Sequence, residues 1–296
     1  MNPKKNLVFY ILGVLAFLNI LAGIIALGLS KAQFLEVNFF DVGQGDAIFI
    51  ETLQRHQILI DGGPSSTILE KLGKEMPFWD RTIDLVVLTH PERDHMAGLL
   101  EVLKRYKVEN ILWTGIVRDT QEFKEWQKAI EEENANVKIA QSGQKIILSN
   151  NRSYELRQFI EVLYPVENLE GQELKNSNNT SIVSRLVFDE NSFLFTGDIQ
   201  KSTEKKLTEG ENNLNSDILK VGHHGSKTSS SKEFIEKVSP EIAVISVGKG
   251  NSYGHPYQEV LDILGSYGIR ILRTDQASDI KIISDGDNYE VSNFQN

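Results

Sequence analysis

The sequence has no cysteine among its 296 residues. Disulfide bonds and thiolate metal ligands are therefore excluded, and any metal site must use histidine and carboxylate side chains. Histidine is also scarce, with six copies. Repeats of the solenoid kind are absent as well. These absences leave a chain whose chemistry must come from a few nitrogen and oxygen donors.

Basic residues are outnumbered by acidic residues. The chain has 31 basic and 41 acidic residues, a net charge of −10. Lys4, Lys5 and Lys31 are the only charged residues before residue 33, so the acidic excess falls on the rest of the chain. Such a domain repels polyanions at long range, and the sequence shows no basic patch of the kind that tight, salt-sensitive DNA binding needs.

One long apolar run opens the chain. Leu7 to Leu29 is uncharged and exceeds the roughly 20 residues that cross a bilayer as a helix. Two lysines before it and one after favour a cytoplasmic N-terminus. We expect residues 1–32 to be a membrane anchor, with the remainder outside the cytoplasm. The alternative is a cleaved signal peptide and a secreted protein, because Ser30-Lys31-Ala32 loosely fits a cleavage site.

The stretch LVVLTHPERDHMAGLL, residues 85–100, is the most informative part of the sequence. Leu85 to Leu88 is a short apolar run typical of a strand, and Met96 to Leu100 starts a helical pattern. The residues predicted on the loop between the two are His90, Glu92, Asp94 and His95. These nitrogen and oxygen donors suit Zn, Mn or Fe. The alternative is a polar loop in which Asp94 caps the helix.

Further polar residues follow other predicted strands. Asp198 follows the strand Ser192 to Thr196, where it is either a second metal ligand or the cap of the next helix. Asp61 also follows a strand and could orient a ligand. The glycines of DVGQGD, residues 41–46, indicate a tight turn or a phosphate-like cradle. No helix follows them, which excludes a dinucleotide fingerprint.

Histidines gather at the same kind of position. His223 and His224 follow the strand Ile218 to Val221, and His255 follows a glycine-rich segment. Only His56 lies in an ordinary polar turn. Together with the first cluster, these residues could hold two metal ions with Asp198 between them and a metal-activated water. His255 could donate a hydrogen bond to an oxyanion or a leaving group. Neither a Ser/His/Asp triad nor a Cys nucleophile is evident.

These motifs resemble a known family. Asp198, the HHG element and the first cluster resemble the metallo-β-lactamase-fold hydrolases. More narrowly, the chain is similar to the extracellular hydrolase domain of ComEC-type DNA-uptake proteins, in order from about Glu36 onward, through DVGQGDA, LTHPERDHMAGL, NNTSIVSRL, FLFTGD, LKVGHHGSKTSS and YGHP. One apolar segment stands where those proteins have a many-helix channel, so a DNA-uptake role is not carried over.

The resemblance implies a mixed α/β fold, a four-layer αβ/βα sandwich over residues 33–296, preceded by one N-terminal hydrophobic helix. In that pattern His90 and Glu92 serve a first metal, Asp94 and His95 a second, and Asp198 bridges them. His223 is the preferred further ligand, with His224 close behind. Asp94 and His255 are the catalytic candidates.

Two departures bear on the first metal. Glu92 stands where the wider fold has His and ComEC-like domains usually have Asp. The wider fold also has a histidine between the key loop and Asp198, and this chain has none. Asn179 and Ser181 occupy that region, as in ComEC-like domains.

The resulting expectation is a hydrolase that uses two divalent ions, Zn or Mn, on a phosphodiester. The substrate is single-stranded DNA or a small phosphodiester, and a DNA-delivering protein is a candidate partner because the domain is acidic. The alternatives are a lactone or β-lactam hydrolase, or a membrane-tethered binding module with a degenerate metal site.

Overall fold

Two units make up the computed structural model, Met1–Gln33 and Phe34–Asn296. The structure describes residues 3–29, 34–148, 158–174 and 176–293. The first unit contains helix α1 (Pro3–Leu29). Its stretch Leu7–Ile24 is long and apolar enough to cross a membrane by length and composition, and its side chains are not buried against protein. The assignment of residues 1–32 as an anchor and 33–296 as a hydrolase domain remains a prediction.

The second unit alternates strands and helices. Its strands are β1 (Leu35–Phe39), β2 (Ile48–Glu51), β3 (Gln57–Ile60), β4 (Thr82–Leu88), β5 (Lys107–Trp113), β6 (Asn136–Ile139), β7 (Lys145–Ile147), β8 (Gln158–Tyr164), β9 (Val183–Phe188), β10 (Asn191–Phe195), β11 (Ile218–Lys220), β12 (Ile242–Ile245), β13 (Arg270–Arg273), β14 (Ile280–Ser284) and β15 (Tyr289–Asn293). Its helices are α2 (Thr67–Glu75), α3 (Arg93–Leu103), α4 (Gln121–Glu133), α5 (Lys201–Glu209), α6 (Lys232–Val238), α7 (Gln258–Ser266) and α8 (Thr274–Ala277).

The strands form two sheets. One has the order β15-β14-β1-β2-β3-β4-β5-β6, and the other has the order β13-β12-β11-β10-β9-β8-β7. Strands β3 to β6 are parallel, as are β10 to β13. The sequence predicts an antiparallel pair over Thr180 to Phe188 and Ser192 to Thr196. Strands β9 and β10 confirm it, with Phe193 opposite Leu186.

Three apolar layers hold the sheets and helices together. Side chains such as Phe39, Ile60 and Phe195 fill the space between the sheets. Helices α2 to α4 cover the outer face of the first sheet. The helical pattern of Glu122 to Glu133 predicts that Phe123 and Trp126 point inward, and both are fully buried. Helices α5 to α7 cover the outer face of the second sheet. Because each sheet is apolar on both faces, both must be covered, and the four-layer αβ/βα sandwich is confirmed.

Several elements differ from the sequence-based expectation. Strand β15 and the short helix α8 were not predicted. Helix α3 begins earlier than expected, so Asp94 and His95 lie in its first turn and not on the loop. The N–H groups of His95 and Met96 donate to the carbonyl of Glu92 at 3.1 and 2.9 Å, which closes that turn. The sequence also predicts a strand over Tyr154 to Tyr164, and residues 154–157 of it lie outside the described residues.

Candidate metal centre

The ligand candidates lie at one edge of the sandwich. Asp61 and His90 follow the parallel strands β3 and β4, and Asp198 and His224 follow the parallel strands β10 and β11. Parallel neighbours end at the same edge, so the loops after them meet there. Residues far apart in the sequence are thus brought to one place.

Neither candidate carboxylate is a helix cap. Helix α5 begins at Lys201 with Gln200 as its N-cap residue, two positions beyond Asp198. Helix α3 has Glu92 at its N-cap position, without a side-chain cap bond, and Asp94 lies inside the helix. The structure therefore excludes a helix-capping role for Asp94 and Asp198.

Three imidazoles converge on Asp198. Its Oδ2 atom lies 3.4 Å from Nε2 of His95, 3.5 Å from Nε2 of His224 and 4.0 Å from Nε2 of His90. Nε2 of His224 is also 3.5 Å from Oδ2 of Asp94. One ligand atom from each of Asp94, His95, Asp198 and His224 lies within 4.8 Å of the others.

The free atoms of this cluster fit a divalent cation. Among the described residues, Nε2 of His90, His95 and His224 and Oδ1 of Asp198 are buried without a hydrogen-bond partner. Unsatisfied buried polar atoms are rare, and four that face one another indicate a missing ligand. Nitrogen and carboxylate donors in this number are those that Zn and Mn accept.

The opposite ring nitrogens are held by the protein. Nδ1 of His95 lies 2.7 Å from Oδ2 of Asp61, and Nδ1 of His224 lies 2.9 Å from the carbonyl oxygen of Ser246. A hydrogen bond from Nδ1–H fixes the ring orientation and leaves the Nε2 lone pair for a cation. Asp61 is itself anchored by the backbone N–H and hydroxyl of Thr89 at 2.8 and 2.7 Å.

The electrostatics of the cluster favour positive charge. Burial lowers the pKa of His224, but Asp198 and Asp46 outweigh it and raise that pKa to about 10. Burial is likewise outweighed at His95, where Asp198 and Asp61 raise the pKa well above its usual range. Burial lowers the pKa of His90 to about 3. The carboxylates therefore create a negative field that a metal ion would meet at this edge.

Two predicted ligands, Glu92 and His223, line the cavity beside the cluster and contact other side chains. The Glu92 carboxylate accepts a hydrogen bond from the Ser177 hydroxyl and lies 3.0 Å from the Arg118 guanidinium. His223 has Nε2 3.2 Å from Nδ2 of Asn178 and 3.9 Å from Oδ2 of Asp198. Both line a cavity of about 150 Å³ together with Asp94, Asp198 and His224. Their roles as ligands remain predictions.

His255 faces the same cavity. The backbone N–H of His255 donates to Oδ1 of Asn251 at 3.0 Å, and its backbone carbonyl accepts from the Asn251 side-chain amide at 2.7 Å. Burial, together with His224 and His223, lowers its pKa to about 4. The ring is therefore neutral near pH 7 and carries one N–H that can donate a hydrogen bond.

Sequence reasoning missed an ion pair beneath the cluster. The Lys220 ammonium lies 2.6 Å from Oδ2 of Asp46, and both side chains are buried. Oδ1 of Asp46 lies 3.3 Å from Nδ1 of His224. A signal was available, because a lysine inside the apolar run of β11 must bury its charge, and a buried charge needs a partner.

Known proteins share this arrangement of sequence and fold. Residues 40–249 match the Metallo-beta-lactamase superfamily. ComE operon protein 3 of Bacillus subtilis (strain 168) is 34% identical over 264 residues, which cover 83% of this chain and 32% of that protein. Competence protein ComA of Neisseria gonorrhoeae is 32% identical over 242 residues, which cover 81% of this chain and 31% of that protein. The chain thus spans about a third of the length of these relatives.

A solved structure agrees in fold. Igni18, described as a novel metallo hydrolase from the hyperthermophilic archaeon Ignicoccus hospitalis KIN4/I, has a TM-score of 0.51 and 15% identity. The match covers 84% of this chain and 98% of that one. The superfamily match over most of the second unit agrees with the sandwich and with the His/Asp cluster at its edge. The chain therefore belongs to the metallo-β-lactamase superfamily of metal-dependent hydrolases.

Proposed function

We propose that the protein hydrolyses phosphodiesters with divalent ions, Zn or Mn, held by His90, Asp94, His95, Asp198 and His224. The observation that carries the proposal is the convergence of three buried imidazole Nε2 atoms on the Asp198 carboxylate. The donor set combines three imidazole nitrogens with two carboxylates and contains no sulfur, which suits a cation that also binds the hard phosphoryl oxygens of such a substrate. The stoichiometry that we propose is two ions per chain, and the Asp198 carboxylate would help to hold them.

Metal ions at such a site lower the pKa of a water molecule and polarise a phosphoryl oxygen. The protein's own part is to hold the donors in place. Asp61 and the Ser246 carbonyl orient the rings of His95 and His224 through Nδ1. The side chains at the mouth, Asn178 and His255, can donate hydrogen bonds to charge that develops on the substrate.

Two lines of support point to a nucleic acid or a related phosphodiester. Two relatives carry the names ComE operon protein 3 and Competence protein ComA, and the sequence motifs resemble those of DNA-uptake proteins. The net charge of −10 opposes the approach of a long polyanion. A small phosphodiester, or single-stranded DNA brought by a partner protein, fits both the resemblance to competence proteins and the negative charge of the chain.

The test compares two substrates on one metal-loaded sample. The purified protein is assayed with bis-p-nitrophenyl phosphate and with nitrocefin after addition of Mn or Zn, and its metal content is measured by mass spectrometry. We expect two metals per chain and turnover of the phosphodiester alone. Turnover of nitrocefin alone would favour β-lactam chemistry, and an absence of bound metal and turnover would favour a binding module.

We also propose that helix α1 is an uncleaved anchor and that the hydrolase domain lies outside the cytoplasm. Support comes from the uncharged Leu7–Ile24 stretch and from Lys4 and Lys5 before it. Resistance of the membrane-bound protein to alkaline carbonate, with protease sensitivity in intact cells, is the expected result. Release of a shortened soluble protein would contradict the anchor and indicate a signal peptide.

A further inference from the structure

An aromatic pair stands out on the surface of the second unit. Phe78 and Trp79 follow helix α2 and are 79% and 57% exposed. Their rings pack edge to face, with centroids 4.8 Å apart. We call Phe78 and Trp79 the aromatic tip. Large aromatic side chains exposed together on a loop are unusual on a surface that meets only water, and they mark interaction sites.

The position of the aromatic tip is fixed by polar contacts on both sides of it. Lys281 joins the preceding Glu75 to Glu36 of β1, at 2.7 and 2.8 Å. The following Asp80 accepts from the side-chain amide of Gln57 of β3, at 2.8 Å. Glu36 and Gln57 stand near the beginning of their strands. The aromatic tip therefore lies at the end of the first sheet where β1 and β3 begin.

The chain enters the domain at this same end. Phe34, which is 46% exposed, immediately precedes β1. Residues 30–33 separate it from Leu29, the last residue of helix α1. Five Cα-to-Cα steps span at most about 17 Å even when fully extended. Chain length alone thus limits how far Phe34 can lie from the membrane face that the end of the helix reaches.

We propose that the aromatic tip and Phe34 rest in the lipid headgroup layer of the membrane that α1 crosses. This inference rests on the anchor proposed above. Tryptophan is enriched at bilayer interfaces because its ring is apolar and its N–H is polar, and phenylalanine beside it adds apolar area. The short tether and the exposed aromatic side chains therefore act at the same end of the domain.

This placement orients the metal centre. Asp61 and His90 follow the far ends of β3 and β4, whereas the aromatic tip lies where these strands begin. Strand β4 has seven residues, and at about 3.3 Å each these give roughly 23 Å. The catalytic cavity then faces away from the bilayer and receives its substrate from the aqueous phase.

The tryptophans of the chain supply a direct test. There are three, and Trp113 and Trp126 are buried, so Trp79 is the only one that lipid can reach. The full chain is reconstituted in vesicles of phosphatidylcholine and phosphatidylglycerol, with or without bromine on the acyl chains. We expect brominated lipid to reduce the tryptophan emission, and Trp79→Phe to abolish the lipid-dependent part.

Matched variants identify the contact. Phe78→Ser should weaken the quenching of Trp79. Val166→Ser, at an apolar residue that is 60% exposed and follows β8, should leave it unchanged. Equal emission in both lipids from protein that resists carbonate extraction would overturn the membrane contact while leaving the anchor intact. Loss of the protein from the vesicles in carbonate would overturn the anchor and this inference with it. Neither result would touch the phosphodiesterase proposal.

Discussion

The Lys220 ammonium lies 2.6 Å from the Asp46 carboxylate, in the protein interior directly behind His224. The lysine also donates to the carbonyl of Val221 at 3.0 Å. Four carboxylates crowd around this edge, those of Asp46, Asp61, Asp94 and Asp198, and Lys220 balances the charge of Asp46.

Removing that lysine should be costly. Lys220→Met leaves Asp46 buried without its cation, and we expect a loss of about 3–5 kcal/mol in the free energy of unfolding. Urea denaturation of the metal-free protein measures it. The double variant Asp46→Asn, Lys220→Met removes both charges and should recover part of the loss. A single variant as stable as the wild type would show that the pair does not matter for stability.

Metal binding should stabilise the fold. The free Nε2 atoms at the cluster bind a cation in the folded state only, so added Zn or Mn should raise the melting temperature. At a free concentration of 100 times the dissociation constant, the gain is about 2.7 kcal/mol. His95→Ala should remove most of this gain. The control is His56→Ala, at a residue that contacts Asp84 at 3.5 Å outside the cluster and should retain it. Equal stabilisation of both variants would contradict the proposed ligand set.

Asp94 and Glu92 should differ in their effect on catalysis. Asp94→Ala removes a carboxylate beside His224, and we expect turnover to be abolished and bound metal to fall, with the fold intact by circular dichroism. Glu92→Gln should keep its metal, because the native carboxylate is engaged by Ser177 and Arg118. Measurements of metal content and phosphodiesterase turnover in the two variants test this difference. Loss of metal from Glu92→Gln would contradict this expectation and would support Glu92 as a metal ligand, which is the role that the family resemblance implies.

The backbone of helix α3 packs closely against the turn that carries Asp61, and this contact helps to position the metal centre. A Cβ atom at Gly98 of α3 would lie 1.8 Å from the carbonyl oxygen of Gly62, next to Asp61. Gly98→Ala should therefore push α3 from the turn and cost about 1–3 kcal/mol of stability. Gly73→Ala, in helix α2 with no atom within 4 Å of the added Cβ, should be neutral or gain up to about 1 kcal/mol. Thermal unfolding compares them, and similar stability of the two variants would argue against the close contact.

Most of the regular structure followed from local pattern. The apolar strands before His90 and Asp198, and the amphipathic helix α4, were predictable because periodic burial leaves its mark within a short stretch of chain. The sandwich and the superfamily followed from the motifs taken together. Strand β15 was missed because it pairs only with β14 at a sheet edge, where apolar alternation is weak.

The sequence by itself determined which residue types are available, that no thiolate chemistry is possible, and that the histidines collect after strands. Only the tertiary structure decided which atoms meet. The order of the strands brings Asp198 and His224 opposite His95, and gives Glu92 and His223 other partners. It also pairs Lys220 with Asp46. These contacts join residues that lie far apart in the chain, and local periodicity holds no information about such distances.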